Sequence, residues 1–170
     1  MRKIWFLCLS LIMILLFSCT DHKTGMIEHI TELEDSLKNN MYTPKLNREN
    51  IYILRELYVE FAKKYPEDSL TAKYIFSLAQ SYVGSKKYDK AIENLDALCN
   101  RYPNSKIAPK AMFYKAFIYW DNIKQEGKAK EIFKEFISKF PNHPLSADAQ
   151  ASVNIIENQT SIEELIKENS

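Results

Sequence analysis

The side chains able to do chemistry are few and badly placed for it. The three histidines, His22, His29 and His143, have no second His or Cys at i+3 or i+4, so no zinc-type ligand set is expected. No serine sits in a nucleophile-elbow context. The carboxylate pairs Glu34-Asp35 and Glu163-Glu164 fall on polar helical faces, where an acid/base pair gains no tuned environment. Three glycines in 170 residues, Gly25, Gly84 and Gly127, stand too far apart for a phosphate-cradling or dinucleotide loop. The 23 basic and 22 acidic residues balance, without the basic excess of a nucleic-acid binder. Asn158-Gln159-Thr160 fits a glycosylation sequon. What remains is one cysteine in a special place, Cys19, and a crowd of aromatic rings at 113–120. The expectation is a non-enzymatic chain without metal or cofactor.

Arg2 and Lys3 precede fourteen residues, Ile4 to Phe17, whose only polar member is Ser10. A basic segment followed by an apolar run of that length has the form of a secretory signal. It is shorter than the ~20 helical residues that cross a bilayer. The run ends Leu16-Phe17-Ser18-Cys19, which resembles the bacterial lipobox. The resemblance implies cleavage after residue 18 and a diacylglycerol thioether on Cys19, the new N-terminus. Several acyl chains anchor where one does not, each buried methylene contributing ~0.8 kcal/mol. Once processed, the chain would carry 21 basic and 22 acidic residues, and Cys99 would have no partner for a disulfide. Cys99 then reads as a small buried hydrophobe.

The positioning elements come from a repeat. Phe61-Ala-Lys-Lys-Tyr-Pro66, Leu98-Cys-Asn-Arg-Tyr-Pro103 and Phe136-Ile-Ser-Lys-Phe-Pro141 share one pattern, with prolines 37 and 38 residues apart. A basic residue in the last turn complements the helix dipole, and proline ends the helix. A second break falls near Gly84-Ser-Lys-Lys and Gln125-Glu-Gly127, so each unit is two helices, A then B. Ile75, Leu78, Ala79 and Tyr82 share one face, as do Ala91, Leu95 and Leu98. Met112, Ala116 and Tyr119 form a stripe in the next unit, with Ala129, Phe133 and Phe136 opposite.

These residues resemble the tetratricopeptide repeat (TPR). Ile75, Leu78, Ala79, Tyr82, Ala91, Leu95 and Pro103 match its pattern without a shift. Met112, Ala116, Tyr119, Ala129, Phe133, Phe136 and Pro141 match with one inserted residue, and Lys115 occupies a place that is usually apolar. The resemblance implies an all-α, right-handed TPR-type α-solenoid of about three helix pairs with a C-terminal capping helix. The expected organisation is a signal peptide over 1–18, the lipidated cysteine and a flexible tether over 19–25, and a helical domain over 26–157. Its repeats lie near 69–103 and 107–141, and a short helix and tail, capped at Thr160 or Ser161, occupies 158–170. Met26 to Leu37 and Asn50 to Tyr65 form the first pair, joined by a loop over 40–46. Helix Leu145 to Ile156 closes the stack.

The whole chain, lipobox included, resembles small TPR lipoproteins of Gram-negative envelopes, distantly BamD-like and Tol-Pal coordinator-like. That resemblance implies an adaptor: a lipid-anchored, periplasm-facing binder of other envelope proteins at the outer membrane, with no nucleic-acid partner. A narrower alternative is a subunit of an outer-membrane protein assembly machine, and another is a regulator of a peptidoglycan enzyme. The groove of the family falls here on Lys73, Phe76, Gln80 and Val83, then Lys110, Phe113, Tyr114, Phe117 and Trp120. A helix buries one stripe, so some of the five rings in 113–120 must face away from the core between paired helices. The carboxylate clamp of some such repeats needs Lys and Asn where Phe76 and Gln80 stand, and is not expected.

Overall fold

The computed structural model describes residues 22–39 and 44–168, all helix, tight turn or short loop. The residues expected to form the signal and to carry the lipid, Cys19 included, lie outside the described part. The described chain falls into two compact units divided between Lys64 and Tyr65.

The first unit is an antiparallel hairpin of α1 (residues 22–39) and α2 (Pro44–Lys64). Tyr58 Oη donates to Glu34 Oε1 at 2.7 Å and Asn50 Nδ2 donates to Ser36 Oγ at 3.3 Å, which fixes the register. Met26, Ile30, Leu54, Tyr58 and Phe61 are buried. Two expectations shift. Residues 22–25, read as tether, are the first turn of α1. Residues 44–46, read as loop, open α2, because Pro44 suits the first helical position, where no N–H partner is needed.

The second unit stacks α3 (Thr71–Gly84), α4 (Tyr88–Arg101), α5 (Ala108–Phe117), α6 (Glu126–Lys139) and α7 (Ser146–Glu168). It is an all-α solenoid of TPR type, with the small residues Ala79, Ala91, Ala116 and Ala129 fully buried where paired helices meet. With α1 and α2, the described residues hold three helix pairs followed by α7.

The three proline loops are built alike. The N–H groups of Asp68, Ser105 and His143 donate to the carbonyls of Tyr65, Tyr102 and Phe140, and those of Thr71, Ala108 and Ser146 donate to the carbonyls of Asp68, Ser105 and His143. Within each loop one side chain holds the next helix start. Asp68 Oδ1 accepts from Leu70 N–H at 2.9 Å, Ser105 Oγ from Ile107 N–H at 3.2 Å, and His143 Nδ1 from Leu145 N–H at 3.1 Å. His143 is thus half-buried and structural. The asparagines beside the prolines, Asn104 and Asn142, are exposed.

The hairpin turns fall at the expected breaks, near Gly84 and Gly127, without using glycine for left-handed backbone. Neither Gly84 nor Gly127 has positive φ; the left-handed residues are Lys86 (φ 57°) and Lys124 (φ 62°), one repeat apart. Gly84 ends α3, and Gly127 lies inside the first turn of α6. The inserted residue of the second repeat is absorbed by a π-helical turn, Ile118–Asn122, in which Ile123 N–H donates to Ile118 O. The turn closes with Lys87 N–H on Tyr82 O in one repeat and Gln125 N–H on Tyr119 O in the next, one residue further along. A π turn takes one extra residue without breaking the helix.

Helix α7 runs unbroken where two helices were expected. Ser161, read as a cap, instead donates from Oγ to Glu157 O within the helix. The α7 residues in register with Ile75 and Ala79 are Gln150 and Asn154, which hydrogen-bond to each other at 3.0 Å. Those positions are thus polar on α7 where α3 has the buried apolar Ile75 and Ala79.

Candidate functional site

The face built by the A helices of the second unit is the candidate site. The core decides which of its rings are free. Ala129, Ile132, Phe133, Phe136, Ala149, Val153 and Ile156 form one buried cluster, together with Met112 and Ala116. Phe113 is committed to it, its ring edge-on to Phe133 and Phe136 at 5.3 and 5.7 Å between centroids. Trp120 is half-buried, with its edge toward Phe133 at 6.3 Å and toward Phe117 at 6.4 Å. Phe76 of α3 and Tyr114 of α5 pack ring against ring at 5.6 Å and bridge consecutive repeats. Partial burial raises the Tyr114 phenol above its ordinary value.

Phe117 remains 38% exposed, while Lys73, Gln80 and Lys110 are exposed and Val83 is half-buried. Lys73 Nζ lies 5.6 Å from the centre of the Tyr74 ring. The stripe continues onto α7, which sequence reasoning did not credit. Ile155 occupies the register of Gln80 and Phe117 and is 46% exposed. Carrying the repeat spacing of 37 and 38 residues past Pro141 would have found it.

Charge pairs pin the stack from behind. Lys115 Nζ meets Asp96 Oδ1 of α4 at 2.5 Å, with the Lys115 side chain only 20% exposed, so the ion pair answers for the departure from an apolar residue. One repeat on, Lys134 takes the register of Asp96 and pairs with Glu157 of α7 at 2.8 Å, reversing the polarity. That hydrogen bond holds the Glu157 carboxyl below the usual carboxylate range. The Cys99 thiol is half-buried, lies 3.7 Å from Ala108 O and is pushed up by burial. At the proline-loop edge a cleft of about 710 Å³ is bounded by Glu67, Leu70, Lys73, Arg101, Tyr102 and Lys106 among others. No group of His, Cys, Asp or Glu among the described residues could hold a metal ion.

Both repeats and the proline loops around them are what the chain shares with a known family. Residues 68–144 match YfiO, outer membrane lipoprotein. The YfiO match begins at the Asp68 side chain that starts α3 and ends one residue after His143, which plays that part for α7. It bears out the resemblance to TPR-type envelope lipoproteins read from the repeat residues. No curated protein matches the chain at a significant level. The YfiO stretch holds every expected groove residue, from Lys73 to Trp120, but neither α7 nor the first unit.

Proposed function

We propose that the chain is a lipid-anchored, non-enzymatic adaptor of the bacterial outer envelope. It docks another envelope protein on the A-helix face of its second unit. One observation carries the docking face: Phe117 and Ile155, at equivalent register on α5 and α7, keep 38% and 46% of their surface in water although both side chains are large and apolar. Apolar residues grouped on one side of a folded protein are typical anchors for a partner. The outer-membrane assignment rests on the YfiO match, and the anchor on the lipobox-like Leu16-Phe17-Ser18-Cys19.

A photo-crosslinking amino acid placed at Phe117 in intact cells tests the face, with one at exposed Glu135 on α6 as control. The adaptor role requires a discrete adduct from position 117 that is absent from 135 and is lost on Ile155→Asp with helical content unchanged. No adduct, or equal adducts from both, refutes it. Labelled fatty acid tests the anchor: Cys19→Ala must abolish both incorporation and membrane association.

A further inference from the structure

Among the described residues four large apolar side chains stay exposed. Phe117 and Ile155 belong to the adaptor face; Tyr52 and Val59, 64% and 47% exposed, stand on α2 in the first unit. They share one helical stripe with Arg48, Arg55 and Lys63, since these five positions follow at steps of three or four residues. The stripe lies opposite Leu54, Tyr58 and Phe61, which α2 buries. Arg48 and Lys63 are exposed; Arg55 is half-buried and engaged within the chain. Glu49 and Glu56 flank the stripe on one side, and Glu60, on that same side, is paired with Lys64 at 2.6 Å. The outer face of α1 is of the opposite kind. Glu28, Glu32 and Asp35 are exposed there at steps of four and three residues, Asp35 is paired with Lys38 at 3.0 Å, and no large apolar residue of α1 is exposed. The hairpin thus has an acidic side and a side that combines cations with apolar surface.

The proposed anchor decides what the α2 stripe meets. Cys19 precedes His22, the first described residue of α1, by three peptide links, so their Cα atoms are at most about 11 Å apart. In the antiparallel hairpin the start of α1 lies beside the end of α2, where His22 Nε2 is 3.5 Å from Lys64 Nζ. Lys63 stands at that same end, and Val59 is about 8 Å from it along the helix axis. A lipid on Cys19 therefore keeps a bilayer surface within reach of the stripe. We infer that this face of α2 rests on a bilayer surface that contains anionic phospholipid. Tyr52 and Val59 enter the headgroup region, as the apolar face of an interfacial helix does, and the Arg48 and Lys63 cations meet lipid phosphates on either side of them. The acidic face of α1 turns to water, because an anionic surface repels it. The acyl chains on Cys19 supply the affinity; the stripe sets which side of the hairpin the membrane sees.

The inference rests on the Cys19 anchor and is tested apart from it. The lipidated full chain, with a photo-crosslinking amino acid at Val59 or, as control, at Glu32, is reconstituted into vesicles of phosphatidylcholine with or without phosphatidylglycerol. Mass spectrometry reads the phospholipid attached after irradiation. Position 59 is expected to give a phospholipid adduct that position 32 does not, roughly fivefold more with phosphatidylglycerol than without, a gain that salt weakens. Arg48→Glu with Lys63→Glu should remove that gain while flotation with the vesicles and helical content stay unchanged. Tyr52→Asp should lower the adduct in both kinds of vesicle. Equal adducts from positions 59 and 32, no adduct from position 59 on a chain that floats, or a gain unmoved by the charge reversal overturns the inference and leaves the anchor standing. A protein adduct in place of lipid at position 59 in intact cells also overturns it, because another protein then covers α2. If Cys19 incorporates no fatty acid, anchor and inference fall together.

Discussion

Lys115 offers the sharpest test of the packing. It holds the register of Leu78, which is buried in the first repeat, and it survives there because Asp96 reaches it from α4 at 2.5 Å. The Asp96 side chain is 45% exposed, so the pair is partly hydrated and its net contribution is about 1 kcal/mol or less. Asp96→Ala strands a mostly buried ammonium. A fully buried pair broken in this way loses ~3–5 kcal/mol; water reaching the exposed side of this one reduces the loss to about 1–2 kcal/mol. Lys115→Leu gives up the pair but restores the apolar contact of the first repeat, and leaves behind a carboxylate that water can solvate. Its net change is expected within about 0.5 kcal/mol of zero. In the Lys115→Leu background Asp96→Ala should then cost almost nothing, so the double-mutant cycle yields a coupling of about 1–2 kcal/mol. Urea titrations followed by circular dichroism measure each corner. At roughly 3 °C per kcal/mol, Asp96→Ala alone should lower the melting temperature by about 3–6 °C. If Lys115→Leu costs more than about 2 kcal/mol, or Asp96→Ala costs the same in both backgrounds, the ion pair is not what lets lysine replace leucine.

Three further outcomes follow from the same packing. Tyr102 Oη is buried without a hydrogen-bond partner, and its equivalent one repeat on is Phe140, so Tyr102→Phe should stabilise the protein by up to about 1 kcal/mol in urea titration. A loss of stability there would reveal a partner for the hydroxyl. Lys86 and Lys124 occupy left-handed backbone that glycine adopts without strain, so Lys124→Gly should raise stability by about 0.5–1 kcal/mol, and a decrease would contradict the turn geometry. Burial pushes the Cys99 thiol up, so its alkylation, followed by mass spectrometry of the Cys99 peptide, should lag well behind a free thiol at pH 8 and accelerate only as the pH rises further or the chain unfolds; prompt alkylation at pH 7 would show that the thiol is open to solvent.

Much of the fold is written locally. A basic residue, an aromatic and a proline at 64–66, 101–103 and 139–141 end helices by themselves, because proline lacks the N–H that the next turn needs. The alanines at 79, 91, 116 and 129 mark close helix approach, and all four are fully buried. Those signals need only neighbours in the chain, so the helix pairs and the TPR character were legible without coordinates.

The tertiary structure decided what local signals leave open. One insertion between Tyr119 and Ala129 is visible in the repeat spacing, but only packing on both sides of the turn makes it a π-helical turn with Lys124 left-handed. Lys115 reads as an exception until Asp96, 19 residues earlier, arrives beside it. The five rings of 113–120 share one amphipathic segment, and its pattern cannot rank them. The neighbouring helix does, drawing Phe113 into the core beside Phe133 and Phe136 and leaving Phe117 partly in water. Periodicity states which residues share a face, whereas exposure depends on what another part of the chain places against that face.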